Sequence, residues 1–68
     1  MSSKFLYSLS KEEDLSLRKK LHQIQNGQCY ICQYPIDLGL HTTNIDHIVP
    51  LAAKGKDAEE NFALAHEP

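Results

Sequence analysis

A chain of 68 residues allows one small domain, of a size that buries a modest core and commonly needs a metal or disulfides as a staple. Hydrophobic content of 41% excludes disorder throughout, and no apolar run is long enough to span a bilayer. A net charge of −2 weighs against a free-standing nucleic-acid binder, whose affinity rests on neutralising phosphates, unless a local patch or a further segment supplies positive charge.

The first seven residues carry one lysine and too short an apolar stretch for a secretory signal, which points to the cytoplasm. Residues 1–9 read as a lead-in segment in which Lys4-Phe5-Leu6-Tyr7 packs as a short extended piece. Ser10-Lys11-Glu12-Glu13 fits the S-x-x-E capping box, and Glu12, Glu13 and Asp14 place negative charge in a first turn, where the helix dipole favours it. Leu17, Leu21 and Ile24 recur at helical spacing, and Asn26-Gly27 supplies a stop with Gly27 as a left-handed cap. The pattern predicts a helix over about residues 10–25. Arg18-Lys19-Lys20, balanced by nearby acids, reads as a solvated helix face.

Cys29 and Cys32 stand at C-x-x-C spacing between β-forming residues. In a cytoplasmic setting that spacing favours metal or redox chemistry over a structural disulfide. A zinc knuckle is the favoured reading, because so small a chain needs a staple and two thiolates at a tight turn can face one ion. It supplies half of a tetrahedral site, so a second pair of ligands is required. A thioredoxin-like redox pair would need a βαβ context, which is absent here, and two ordinary buried thiols are the plain alternative.

Residues 37–43 form a connection in which His41 reads as a solvated loop histidine. Next comes Asn44-Ile45-Asp46-His47-Ile48-Val49-Pro50-Leu51, a strand favoured by Ile45, Ile48 and Val49 and closed by Pro50. Neighbours on a strand point to opposite faces, so Asp46 and His47 share a surface only if the strand bends or ends there. Taken alone, the pair reads better as a structural Asp–His hydrogen bond at a strand end. The stretch from Ala52 to Glu60 is charged and turn-forming around Gly55, and Asn61-Phe62-Ala63-Leu64-Ala65-His66 reads as a return strand.

In this order and spacing, Cys29-x-x-Cys32, Ile45-Asp46-His47-Ile48-Val49-Pro50-Leu51, Lys54-Gly55-Lys56 and Asn61-Phe62-Ala63-Leu64-Ala65-His66 resemble an HNH endonuclease of the zinc-knuckle type, over about residues 27–68. The resemblance implies an α+β fold, a small ββα-metal (treble-clef-like) domain with an N-terminal helix. Its hairpin would carry the Asp-His pair on the first strand and the Asn near the start of the second. His47 then corresponds to the general base that activates water, and Asp46 to a ligand of a catalytic divalent metal, magnesium foremost. Asn61 corresponds to the residue that ties the interstrand loop so that His47 faces the phosphate. Cys29, Cys32 and His66 correspond to ligands of a structural zinc.

Family members continue into a further cysteine, a last Asn or His and a basic helix. Residues 10–68 therefore read as an HNH-like nuclease domain incomplete at its C-terminus, with the final helix, the fourth zinc ligand and the last motif residue missing. The implied function is metal-dependent hydrolysis of DNA phosphodiester bonds, in a restriction or phage-defence system. DNA is the implied partner, with no membrane, and a larger protein or an oligomer is left open. The alternative is a zinc-stapled, non-catalytic module that binds nucleic acid or protein.

Overall fold

The Ser10 hydroxyl accepts from the Glu13 N–H and the Glu13 carboxylate accepts from the Ser10 N–H. This reciprocal box opens a 14-residue helix, Lys11–Ile24, labelled α2. A one-turn helix, Lys4–Tyr7 (α1), precedes it, and two strands, Thr43–His47 (β1) and Phe62–His66 (β2), follow. The computed structural model describes residues 3–67; Met1, Ser2 and Pro68 lie outside the described residues. β1 and β2 pair antiparallel, with Ile45 opposite Leu64 and His47 opposite Phe62. Short 3-10 turns at Leu51–Ala53 and Glu59–Asn61 shape the connection between them. The chain is thus a small α+β domain, one main helix against a two-stranded sheet.

The core joins Leu17 and Leu21 of α2 to Cys29, Ile36, Ile45, Phe62, Leu64 and Ala65, and Phe5, Leu6, Leu9 and Leu38 pack around it. Leu64 is fully enclosed. Two sequence expectations change. Ile24, expected on the buried face, is 66% exposed, because Gln25 takes the place facing the sheet. Its amide accepts from Leu64 N–H at 2.7 Å and donates to Leu64 C=O at 2.9 Å, which closes the free edge of β2. The lead-in is helical rather than extended, because the Ser3 hydroxyl caps it by accepting from the Leu6 N–H. Its Phe5 ring stands edge-on to Phe62 with centroids 5.3 Å apart.

α2 ends in two left-handed residues, Asn26 and Gly27, with φ of 56° and 74°. They turn the chain into the C-x-x-C segment, where Cys29 N–H donates to Tyr34 C=O and Gln33 N–H donates back to Cys29 C=O. Beyond β1, Gly55 N–H donates to Pro50 C=O, and the two backbones come so close that a Cβ on Gly55 would lie 1.8 Å from the Val49 oxygen. Gly55→Ala is therefore expected to force the interstrand loop apart and cost about 1–3 kcal/mol. Thermal unfolding of the variant checks this, and an unchanged midpoint would contradict the backbone approach.

Candidate functional site

Three groups from two parts of the chain converge at the C-x-x-C turn. The ligand atoms of Cys29, Cys32 and His66 all lie within 4.8 Å of one another, close enough for a single metal ion to bind all three. The knuckle turn supplies the sulfurs and the end of β2 supplies the imidazole. Cys29 is buried and Cys32 exposed, and both are free thiols. Burial pushes the Cys29 thiol up, but the N–H groups of Cys32, His66 and Ile31 together outweigh it and bring the thiol down to about 6. A sulfur so held is a thiolate near neutrality, the form that binds metals.

His66 is oriented from behind. The Asp37 N–H donates to His41 Nδ1 at 3.0 Å, so that nitrogen carries no hydrogen. His66 Nε2 lies 3.3 Å from the same atom, and the two rings stand edge to face. His66 Nδ1, the nitrogen on the other side of the ring, lies 3.4 Å from Cys32 Sγ. His41, expected as a solvated loop residue, is exposed but has both these partners.

The second site lies where β1 ends. Alternation puts Asn44 and Asp46 on one face, and the Asn44 amide donates to Asp46 Oδ1 at 2.9 Å. His47 lies on the other face against its cross-strand neighbour Phe62, with the rings perpendicular and centroids 5.1 Å apart. Pairing stops at His47 and the chain bends, so Asp46 and His47 both border one open cleft of about 430 Å³, with Tyr30, Ile31, Pro50, Leu51 and Ala52. Asn61 is buried behind the bend. Its side-chain oxygen accepts from Val49 N–H at 2.8 Å, and its amide nitrogen donates to the carbonyls of Val49 and Lys56.

A family model described as HNH endonuclease matches residues 29–68, more than half of the chain. The chain belongs to the HNH endonuclease family. No curated protein and no solved structure matches it. Membership makes it a nuclease-type domain, and among the described residues no helix is long and apolar enough to cross a membrane.

Two residues of this HNH domain escaped the sequence reading. Arg18 is no solvated charge: it pairs with Asp14 and donates to the carbonyl and hydroxyl of Thr43, pinning the start of β1. Asp57, in a stretch expected to be merely exposed, lies 3.0 Å from His47 Nε2 through Oδ1. It also accepts from the Ser3 hydroxyl and from the Phe5 N–H. No spacing rule links residue 57 to residues 3 and 47, so only the fold could bring them together.

The Ser3 hydroxyl first, then the Phe5 N–H and His47, hold Asp57 down at about 2, against its ordinary 3.8. The unfolded chain therefore takes up this proton first as pH falls. The stability that Asp57 contributes is complete above about pH 5 and is lost as pH drops through about 2. Asp57→Asn is expected to lower the urea midpoint at pH 6, with the gap to the parent closing between about pH 4 and 2. A gap that stays constant over that range would contradict the three-donor arrangement.

Proposed function

We propose that this chain is the nuclease domain of a DNA-cleaving protein, hydrolysing phosphodiester bonds with His47 as general base and a divalent cation, magnesium foremost, at Asp46. Support comes from the shared cleft: the strand end lets an imidazole and a carboxylate border one open space despite their alternation. A neutral imidazole can take a proton from water near neutral pH, and the hydroxide then attacks phosphorus as the 3′ oxygen departs. Asp46 offers hard oxygen donors, and among the described residues its one hydrogen-bond partner, the Asn44 amide, takes Oδ1, which leaves Oδ2 for a cation of that class. Such a cation would neutralise charge on the phosphate and on the departing oxygen. Asn61, through its clasp on Val49 and Lys56, sets the direction of the chain leaving His47.

We assign the Cys29–Cys32–His66 group to a structural zinc. Tetrahedral zinc with bonds of about 2.3 Å to sulfur and about 2.0 Å to nitrogen sets a sulfur–nitrogen separation of roughly 3.6 Å. The distance from Cys32 Sγ to His66 Nδ1 is 3.4 Å, which suits that ion. Two free thiols fit a reducing compartment, in accord with a cytoplasmic protein.

Two measurements test these assignments. In a plasmid-nicking assay with and without magnesium, His47→Ala should lower the rate roughly 10²–10⁴-fold, the usual contribution of a general base. Undiminished nicking by that variant would remove His47 from the chemistry, and binding of DNA without any cleavage by the parent would favour a non-catalytic module. Zinc binding followed by cobalt(II) absorption should weaken by more than about 10-fold in Cys29→Ser, since a direct ligand is lost. A chelator should also lower the helical signal, because metal binding and folding are coupled in domains this small.

A further inference from the structure

Three donors from distant parts of the chain meet at the Asp57 carboxylate. The Ser3 hydroxyl donates to Oδ1, the Phe5 N–H donates to Oδ2 at 2.9 Å, and His47 Nε2 lies 3.0 Å from Oδ1. An ionised carboxylate offers only lone pairs, so the hydrogen between Asp57 and His47 belongs to Nε2. A neutral imidazole with its hydrogen on Nε2 has a bare lone pair on Nδ1. We infer that Asp57 is a positioning residue for His47, fixing the Nε2–H tautomer and leaving Nδ1 to receive the proton of water, and that α1 with its Ser3 cap is the clamp that holds Asp57 to this task. This rests on His47 acting as the base.

The surroundings support a clamp rather than a chance surface contact. Asp57 sits in the connection between the two 3-10 turns, where Asn61 holds the carbonyls of Lys56 and Ala58 on either side but not the Asp57 side chain. Its anchors come from the one-turn helix at the other end of the chain, outside residues 29–68 that carry the family match. The same helix places Phe5 edge-on to Phe62, and Phe62 stands perpendicular to the His47 ring. His47 is thus fixed by Phe62 against its ring and by Asp57 at one nitrogen, and its side chain keeps only 14% exposure. The demand for a carboxylate is specific. An asparagine has one oxygen for three donors, so its amide nitrogen must face either the Phe5 N–H or the His47 Nε2–H. Either the clamp opens, or the imidazole loses its acceptor and exchanges tautomer.

The test uses the full chain loaded with zinc. Nitrogen-15 shifts of the His47 ring should show the Nε2–H tautomer in the parent and a mixture of tautomers in Asp57→Ala. Nicking should fall in kcat by roughly 10- to 100-fold, less than on losing the base itself, with KM for DNA unchanged. Ser3→Ala should move both readouts the same way by a smaller amount, while circular dichroism and the cobalt(II) spectrum stay as in the parent. If Asp57→Ala fails to fold, Ser3→Ala decides the matter by the same shifts. An Nδ1–H tautomer in the parent, or a tautomer indifferent to these substitutions, overturns the inference. A parent that holds the Nε2–H tautomer but never nicks DNA overturns the assignment of His47 as a base while leaving Asp57 as its positioning partner.

Discussion

The buried amide of Asn61 is the contact on which the cleft depends. Two five-residue strands make a marginal hairpin, and here they are joined by a long connection whose closure costs entropy. Asn61 makes that connection definite. It mimics a strand neighbour for Val49, taking its N–H and giving to its C=O, and with the same amide it also reaches the Lys56 carbonyl. Its own backbone C=O accepts from Ile48 N–H, so the residues after His47 are held from two sides. A buried amide that satisfies this many backbone groups is costly to replace, since truncation would leave Val49 N–H without a partner. The direction in which Asp46 and His47 leave the sheet is therefore set by a residue that need touch no substrate.

The same device recurs around the molecule. Gln25 closes the outer edge of β2 at Leu64, Arg18 closes the start of β1 at Thr43, and Asp57 takes the Phe5 N–H at the opening of α1. A larger domain would meet these backbone groups with further strands. A chain with a two-stranded sheet uses planar side chains instead, each presenting two or more hydrogen-bonding atoms in a fixed geometry. The cost is that each clasp is a single residue, so the structure has little redundancy. A metal bridging Cys29 and Cys32 to His66 would act in the same sense, tying the knuckle to the end of β2, where Cys29 Sγ already accepts from His66 N–H at 3.4 Å.

What was legible in the sequence was local. The capping box needs only Ser10 and Glu13, the left-handed stop only Asn26 and Gly27, and the alternation of Phe62 and Leu64 with alanine announces a strand, which the fold buries on both faces. The spacing of Cys29 and Cys32 and the Asp46-His47 step drew attention for the same reason. What was not legible depends on partners far along the chain. Ile24 lost its buried place to Gln25 because of a strand forty positions on. The lead-in became a helix because a serine cap and an aspartate from the far loop both favoured one. Arg18 looked like one of three solvated bases until β1 began beside it. His41 and Asp57 behave likewise: each is an unremarkable polar loop residue until the fold sets it beside a second histidine or an imidazole.

The net negative charge, which weighed against nucleic acid at the level of composition, carries less force once the acids are located. Glu12, Glu13 and Glu59 line a separate groove with Lys20, formed by α1, α2 and the turn before β2. That groove shares no residue with the cleft at the end of β1, where Asp46 is the only acid among the described residues that line it. Asp57, the nearest further carboxylate to His47, has its oxygens taken up by Ser3, Phe5 and His47 itself. Repulsion of a phosphate falls off within about 10 Å at moderate salt, so distribution matters more than the sum. The cleft lining includes the exposed apolar side chains of Tyr30 and Ile31. Asp46 is the cleft carboxylate whose charge a bound cation would offset, and Glu12, Glu13 and Glu59 do not line the space where a phosphate would enter.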